Sequence, residues 1–299
     1  MIKLGIVDFD TSHVVAFTQR LNHVDAAGEQ WVEGAEIVIG CPGTSLMSPE
    51  RVPGFTEQLK SYGIKLVDDP DEMIGKIDGV LIESVDGSVH YDRAKPFLEA
   101  GIPMFIDKPF TCSMEHAKAI AKLAEKNNVP VFSSSSLRYG LEVQDIIEKA
   151  DEYGKVVGAD VYSPGSQHPR NPGLFNYGIH GLETLYALMG TGCTSVWAVS
   201  TSDVDVVTGA WQDGRIGALR ATRAGAHSYG FTAFCEKKVI ASTINAGFIY
   251  RELLKRIVEM FQTGESPLDI NETLEIVAFI ESAMKSAKQD GERIKLESI

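Results

Sequence analysis

Hydrophobic positions in the first half of the chain form short continuous runs, separated by segments in which they recur every three or four residues. Short runs are typical of strands buried on both faces, and the wider spacing is typical of amphipathic helices. The predicted strands are Lys3–Val7, Ala35–Ile39, Lys65–Val67, Gly79–Ile82, Met104–Ile106 and Val129–Ser133, and the helices are near His13–Leu21, Pro70–Lys76, His90–Ala100 and Met114–Asn127. This alternation predicts an α/β, doubly wound parallel-sheet domain of the Rossmann-like, nucleotide-binding type over residues 1–135.

The second half changes to an alternating pattern between Ser195 and Ile244. Asp213-Gly214 between two alternating runs predicts a β-hairpin, and Glu236–Lys238 indicates another turn. Helical patterns flank the strands at about Leu141–Glu152, Ile179–Leu188, Tyr250–Gln262 and Asn271–Lys288. Residues 136–299 are therefore predicted to form an α+β domain with a large, mostly antiparallel sheet.

Composition excludes several classes of partner. The 41 acidic residues exceed the 28 basic ones, which gives a formal net charge of −13. This excess argues against binding to nucleic acid or to an anionic membrane surface. No apolar run is long enough to span a bilayer, and the N-terminal residues lack the pattern of a signal peptide. We therefore expect a cytoplasmic protein whose four widely spaced cysteines are reduced.

The loop after the first predicted strand carries polar residues where a dinucleotide fingerprint would have glycines. Asp8, Asp10 and His13 occupy the three glycine positions, with Thr11 and Ser12 between them. A carboxylate there would oppose the charge of a pyrophosphate at the helix N-terminus. Alternatively, Asp10, Thr11 or Ser12 caps the helix.

The loop after the second predicted strand lacks the acidic residue that binds the ribose of NAD. It offers Gly43, Thr44 and Ser45 instead. These residues could hold a 2′-phosphate, or they could form a plain turn.

Two further segments contain residue types suited to catalysis. Asp107-Lys108 follows a buried strand, and a lysine kept protonated by its neighbour could orient a hydroxyl or polarise a carbonyl. His180 and Glu183 lie three apart, so a helix starting near Gly178 would place them on one face, as an acid–base group and its orienting carboxylate. No third ligand occurs at a convincing spacing, so no metal site is predicted.

Several motifs, in order along the chain, resemble the Gfo/Idh/MocA family, the glucose–fructose oxidoreductase and inositol dehydrogenase type. Val85–His90 matches its T-P-N-x-x-H segment in the histidine, and Phe97–Gly101 with Ile106–Pro109 resembles its run ending in E-K-P. Arg138 stands where the family has an arginine. Gly178–Glu183 resembles its G-x-H-x-x-D segment, and Ile280–Ile294 resembles its closing motif.

The resemblance implies NAD- or NADP-dependent oxidation of a sugar, a polyol or a related hydroxy or keto compound. It implies that Lys108 holds the substrate hydroxyl and that His180 exchanges its proton. It also implies a homo-oligomer, a dimer or tetramer, built on the open sheet of the second domain. The implied cofactor-binding residues are Asp8, Asp10, Thr11, Ser12, His13, Ser84, Asp86, His90, Asp107 and Lys108, and the implied substrate-binding residues are Arg138, His168, Tyr177 and Glu183.

One departure bears directly on the chemistry. Asn176 occupies the position of the family's catalytic aspartate, and an amide cannot carry a proton away. Two alternatives therefore stand beside the dehydrogenase hypothesis. One is a non-redox ligand-binding or regulatory homologue on the same fold, and the other is a lyase or isomerase with a tightly held cofactor.

Overall fold

The structure is a computed structural model that describes residues 1–296. The chain divides into two units, the first formed by residues 1–134 and 250–270 and the second by residues 135–249 together with residues 271 onward.

A six-stranded parallel sheet forms the centre of the first unit. Its strands are β1 (Ile2–Val7), β2 (Ala35–Cys41), β3 (Lys65–Leu66), β4 (Gly79–Ile82), β5 (Met104–Ile106) and β6 (Val131–Phe132), in the order β3-β2-β1-β4-β5-β6. The predicted doubly wound α/β fold is confirmed. The order reverses between β1 and β4, which is where open parallel sheets bind ligands.

Four helices of this unit lie between its strands, namely α1 (His13–Leu21), α2 (Val52–Ser61), α3 (His90–Glu99) and α4 (Met114–Asn127). Helix α2 was not predicted, because Pro53 lies in its first turn and Leu59 is its one fully buried residue, so its apolar spacing is weak. The segment predicted as a helix near Pro70–Lys76 forms a short 3₁₀ turn over Pro70–Met73. The last predicted strand is shorter than expected because only Val131 and Phe132 pair with β5.

The first unit also includes a helix from much later in the chain, α8 (Ile249–Thr263). This differs from the predicted division at residue 135, which assigned the segment to the second domain. Glycines explain the packing. A Cβ on Gly79 would approach the Phe261 ring to 2.5 Å, and one on Gly34 would approach Val258 to 2.9 Å. The missing side chains leave room for α8 beside the sheet.

The second unit contains a seven-stranded sheet. Its strands are β7 (Val156–Pro164), β8 (Cys193–Ser200), β9 (Val204–Trp211), β10 (Ile216–Thr222), β11 (Gly230–Cys235), β12 (Val239–Thr243) and β13 (Ile294–Lys295), in the order β12-β11-β7-β10-β9-β8-β13. All neighbours are antiparallel except β7 and β10. The mostly antiparallel sheet and both predicted turns are confirmed. The interior strand β7 was not predicted, because Gly158 and Asp160 obscure its apolar alternation.

Four helices accompany this sheet in the described part of the unit. They are α5 (Leu141–Glu148), α6 (Ala150–Tyr153), α7 (Gly178–Met189) and α9 (Ile270–Lys288). The first two replace a single predicted helix, which breaks at Lys149. Helix α7 lies closely against β7 and β10, because a Cβ on Gly181 would approach Leu219 to 2.5 Å and Ser163 Oγ to 2.7 Å. This contact holds α7, and with it His180, against the sheet.

The helices and the cysteines bear on two expectations drawn from composition. Within residues 1–296, no helix has the length and apolar character that crossing a bilayer requires. All four cysteines lie in the described part of the chain, and each is a free thiol, as expected.

A buried carboxylate joins α9 to the start of β8. Glu275 Oε1 accepts hydrogen bonds from Tyr186 Oη at 3.1 Å, from the Gly192 amide at 2.9 Å and from the Cys193 amide at 2.7 Å. Buried donors that lose their acceptor keep their full desolvation cost. Glu275 therefore stabilises the connection between α7 and β8.

Replacing Glu275 by alanine should lower the free energy of unfolding by about 3 kcal/mol, because three buried donors lose their acceptor. Urea denaturation followed by circular dichroism measures this loss. Lys285→Ala, an exposed substitution on the same helix, should change it by no more than about 0.5 kcal/mol. Equal effects of the two substitutions would contradict the role given to Glu275.

Candidate functional site

The predicted site residues lie in both units. The first unit holds Asp8, Asp10, Thr11, Ser12, His13, Ser84, Asp86, His90, Asp107 and Lys108, in the loops after β1, β4 and β5 or at the start of the helices that follow β1 and β4. The second unit holds Arg138, His168, Asn176, Tyr177, His180 and Glu183.

Asp8 directly follows β1 and is buried with a φ of 64°, in the left-handed region that glycine favours. Ser84 Oγ donates a hydrogen bond to Asp8 Oδ2, and Arg93 Nε donates to the same oxygen at 2.8 Å. The expectation that Asp8 presents an uncompensated charge to a phosphate is therefore modified, because Arg93 neutralises it.

Asp10 connects two neighbouring loops. Its Oδ1 accepts a hydrogen bond from the Val85 amide at 3.0 Å, and a hydrogen bond with the Ser45 side chain lowers its pKa. Burial is the larger effect, so the pKa of Asp10 is raised overall. The carboxylate thus lies between the loops that follow β2 and β4.

The residues at the start of α1 make fewer helix-capping hydrogen bonds than the capping alternative predicted. Ser12 occupies the N-cap position but makes no capping hydrogen bond with its side chain. Thr11 Oγ1 accepts from the His13 amide at 3.3 Å.

The most concentrated charges of the first unit lie where β5 ends. His13 Nδ1 is 2.8 Å from Asp107 Oδ2 and 3.7 Å from Glu83 Oε2, and Lys108 Nζ is 3.3 Å from Asp107 Oδ2. Glu83, His13 and Asp107 are all buried. The His13 ring stacks on Phe17 and meets the edge of Tyr250. We call these four charged residues the β5 cluster.

Opposite charges, more than burial, decide the protonation of this cluster. Burial lowers the pKa of His13, but the charge and hydrogen bond of Asp107 outweigh it and raise the pKa to about 10. Burial also raises the pKa of Asp107, yet His13 and Lys108 hold it well below its usual range. Asp107 likewise overcomes the burial of Lys108 and raises its pKa. The site therefore contains two cations around one carboxylate.

Glu83 is the exception in the β5 cluster. Burial raises its pKa to about 7, and the neighbouring His13, 3.7 Å away, only partly offsets this. Glu83 was not predicted as a site residue, because it ends an apolar strand. A carboxylate directly after Gly79–Ile82 was the available signal.

His90 and Asp86 shape the loops around these charges. His90 Nε2 faces the Ser84 carbonyl oxygen at 2.9 Å, and its Nδ1 faces the carbonyl oxygens of Pro109 at 3.0 Å and Phe110 at 3.1 Å. Asp86 Oδ1 accepts from the Ser88 amide and hydroxyl. His90 therefore joins the loops that follow β4 and β5.

A pocket of about 300 Å³ lies beside Asp8 at the ends of β2 and β3. Its lining is Asp8, Cys41, Pro42, Gly43, Thr44, Val67, Asp68, Pro70 and Arg93. One oxygen of Asp8, Oδ1, is buried and has no hydrogen-bond partner among the described residues. An orphaned buried acceptor beside a pocket fits a ligand with hydroxyl donors.

His180 is the centre of the second group. Ser135 Oγ lies 2.7 Å from His180 Nδ1, and the rings of Tyr177 and Tyr229 approach the imidazole edge-on at 5.6 and 5.9 Å. Ser135 and Tyr229 were not predicted. The run of four serines after β6 was a usable signal for Ser135, whereas no local pattern marks Tyr229.

The other predicted residues of this unit have separate surroundings. Asn176 Nδ2 donates to the Ser166 carbonyl oxygen at 3.0 Å, and His168 Nδ1 accepts from the Arg170 amide at 3.2 Å. The Glu183 carboxylate, predicted to orient His180, accepts from Arg138 Nε at 2.8 Å.

Arg138 lies between two carboxylates. Its Nη2 is 2.6 Å from Glu272 Oε1, in addition to the bond with Glu183. Burial lowers the pKa of Arg138, and the two carboxylates more than reverse this and raise it. Arg138 therefore joins the loop before α5 to α7 and α9.

Comparisons with known proteins agree with this architecture. Residues 48–135 match the model of an oxidoreductase family with an NAD-binding Rossmann fold. A curated relative, the uncharacterized oxidoreductase YhhX of Escherichia coli K12, is 26% identical over 147 residues. That match covers 45% of this chain and 42% of YhhX, so it spans less than half of the relative's length.

Solved structures share the fold over nearly the whole chain. A "probable dehydrogenase" from Thermotoga maritima has a TM-score of 0.82 at 17% identity, covering 99% of both chains. The myo-inositol dehydrogenase of Lactobacillus casei, in complex with NAD(H) and myo-inositol, has a TM-score of 0.79 at 14% identity, covering 100% of this chain and 98% of that one. The family model that residues 48–135 match describes an NAD-binding Rossmann fold, which bears out the predicted cofactor class, NAD or NADP.

His13→Gln should destabilise the protein by about 3 kcal/mol at pH 6, because Asp107 then loses one of its two buried cations. The pKa of His13 is about 10 in the folded protein and about 6.5 when unfolded. Its stabilising effect is therefore complete below pH 6.5 and is lost as the pH rises to 10. Urea denaturation of both proteins from pH 6 to pH 10 should show the difference shrinking.

The exposed His227 provides a control for this prediction. His227→Gln should change the free energy of unfolding by no more than about 0.5 kcal/mol. A His13→Gln penalty that stays constant over the whole pH range would mean that His13 is neutral in the folded protein.

Proposed function

We propose, on the premise that the chain belongs to the Gfo/Idh/MocA family whose model it matches, that it oxidises or reduces a sugar, a polyol or a related hydroxy or keto compound with NAD or NADP. The bound nicotinamide would accept or return the hydride. The observation that carries the proposal is the β5 cluster, because it fixes a protonated lysine where β5 ends, next to the position at which the strand order reverses.

Lys108 is the group that would hold the substrate oxygen. Its ammonium is largely buried, and Asp107 restricts its position. A cation fixed in this way orients a hydroxyl and stabilises negative charge that develops on the oxygen when the proton leaves. Asp107 and His13 act as positioning residues for Lys108.

His180 is the group that would exchange the hydroxyl proton. A histidine suits this step because its ordinary pKa lies near neutrality. Ser135, hydrogen-bonded to Nδ1, orients the ring. Tyr177 and Tyr229 pack around the imidazole and restrict its rotation.

Because residue 176 is an asparagine, the group that assists proton transfer by His180 differs from the family's aspartate. The Asn176 amide is bound to Ser166, and an amide cannot stabilise an imidazolium by charge. Glu183 is likewise occupied by Arg138. Ser135 is therefore the partner that we assign to His180, with Asn176, His168 and Tyr177 as substrate-contacting residues and Arg138 and Glu183 as a supporting pair.

Self-association is part of the proposal. The sheet of the second unit exposes large apolar side chains, among them Val199 at 63%, Ile216 at 54% and Val239 at 61%. Apolar side chains exposed along strands favour contact with another protein surface. We infer that this face joins two copies of the chain in a dimer or tetramer. A cytoplasmic location stays a prediction of the sequence.

Lys108→Met and His180→Gln should each lower kcat by about 100-fold or more, because each removes a group that acts on the substrate hydroxyl. A panel of inositols, polyols and sugars with NAD⁺ or NADP⁺, followed by nicotinamide absorbance, supplies the assay. Lys95→Met, an exposed substitution on α3, should keep full activity. If calorimetry detects no binding of NADH or NADPH, the redox proposal is wrong and a non-redox homologue is favoured.

Ile216→Asp should convert the oligomer to a monomer, because it places a charge in the proposed apolar contact. Size-exclusion chromatography with light scattering measures the mass in solution. Lys122→Asp, exposed on α4 of the other unit, should leave the mass unchanged. A wild-type protein that is already monomeric would contradict this assignment.

A further inference from the structure

We propose that Asp8 makes the cofactor site selective for NAD over NADP, by accepting hydrogen bonds from the hydroxyls of the adenosine ribose. This inference rests on the proposed function, because it assumes that a dinucleotide binds at the carboxyl edge of the sheet. The proposed function leaves the choice between NAD and NADP open, and here NAD is the preferred dinucleotide and Asp8 the residue that determines the preference.

This chain has no acidic residue at the position where a ribose-binding carboxylate usually lies. NAD sites of this fold class place that acid about 20 residues after the glycine-rich turn, near the end of β2. Here β2 ends at Cys41 and is followed by Pro42-Gly43-Thr44-Ser45. None of these residues can supply a carboxylate.

Asp8 brings a carboxylate to the same place from the neighbouring strand. With its φ of 64°, the side chain leaves the end of β1 and reaches the backbone at Gly43. A Cβ on Gly43 would overlap Asp8 Oδ1, so the absence of a side chain at this position makes room for the carboxylate. Gly43 itself has a φ of 63°, which also favours glycine.

The two oxygens of Asp8 have different surroundings. Oδ2 receives hydrogen bonds from Ser84 and Arg93, which fix the orientation of the carboxylate. Oδ1 is buried and has no hydrogen-bond partner among residues 1–296. Buried carboxylate oxygens normally accept hydrogen bonds, so Oδ1 is an acceptor held ready for a donor.

The adjoining pocket fits a ribose and its base. Its volume is about 300 Å³, and Val67 and Pro70 contribute apolar surface while Thr44 contributes a hydroxyl. A ribose offers its 2′- and 3′-hydroxyls as donors, and a hydrogen-bond donor is what Asp8 Oδ1 lacks. In NADP the 3′-hydroxyl remains, but the 2′-hydroxyl is replaced by a phosphate that offers only acceptors near neutral pH, so Asp8 loses one of the two donors.

The charges that line the pocket also favour NAD over NADP. The pocket is lined by two carboxylates, Asp8 and Asp68, and by one cation, Arg93. The Arg93 Nε is already bound to Asp8 at 2.8 Å. A 2′-phosphate would add further negative charge beside a carboxylate that cannot move away. The competing role of Arg93, as a ligand for that phosphate, predicts the opposite preference.

The test is a fluorescence titration of NADH and NADPH into the wild-type protein and the Asp8→Asn variant. Wild type should bind NADH about tenfold or more tightly than NADPH. Asn tolerates a positive φ and keeps the shape of Asp, so Asp8→Asn should fold normally. It should bring the ratio of the two dissociation constants to within about threefold of unity, by weakening NADH and relieving the repulsion of NADPH.

Asp71→Asn is the matched control, because it removes the same charge from an exposed position outside the pocket lining. It should keep the wild-type ratio. A second measurement needs no variant: adenosine 5′-monophosphate should displace NADH from wild type more effectively than 2′,5′-adenosine diphosphate. Both compounds report on the adenosine end alone.

Three outcomes overturn the inference. Wild type that binds NADPH as tightly as NADH would assign Arg93, not Asp8, as the deciding residue. A variant that folds but keeps the wild-type ratio would exclude Asp8 as its cause. If neither dinucleotide binds, the proposed function fails together with the inference, which distinguishes that result from the first two.

Discussion

The buried carboxylate of Asp107 is the interaction on which the first unit's site depends. It accepts from His13 at 2.8 Å and holds Lys108 at 3.3 Å, so one anion compensates two cations that have little contact with water. Without it, both cations would be buried without a counter-charge, which costs several kcal/mol per ion. Asp107 thereby joins the start of α1 to the end of β5 and determines where the ammonium of Lys108 lies.

The same principle explains the acidic residues in the loop after β1. From the sequence alone, the negative charges of Asp8 and Asp10 would repel a bound phosphate. In the folded protein each is drawn into a contact between loops, Asp8 by Ser84 and Arg93 and Asp10 by the Val85 amide. A buried carboxylate is stable only with such partners. These acids consequently organise the sheet edge, and one oxygen of Asp8 is left for a ligand.

The second unit distributes its charges differently. Arg138 holds Glu183 and Glu272 at once, so the acid one turn beyond His180 supports the packing of α7 and α9. The imidazole is instead bound by the Ser135 hydroxyl. A serine hydroxyl orients a histidine but supplies no negative charge to stabilise the imidazolium, whereas an aspartate would supply one.

The sequence by itself determined the fold class, both sheets, most elements and the identity of Lys108 and His180 as candidate residues, because apolar periodicity and short motifs are local properties of the chain. It did not predict α2, β7 or the association of α8 with the first sheet. Glu83 and Ser135 had local signals that were not used, whereas no local pattern indicated Tyr229 or the Asp8–Arg93 pair. Asp8 and Arg93 are 85 residues apart, and His13 and Asp107 are 94 residues apart. Only tertiary structure decides which buried charges meet, because pairing depends on distance in space and on exclusion of water, neither of which local pattern contains.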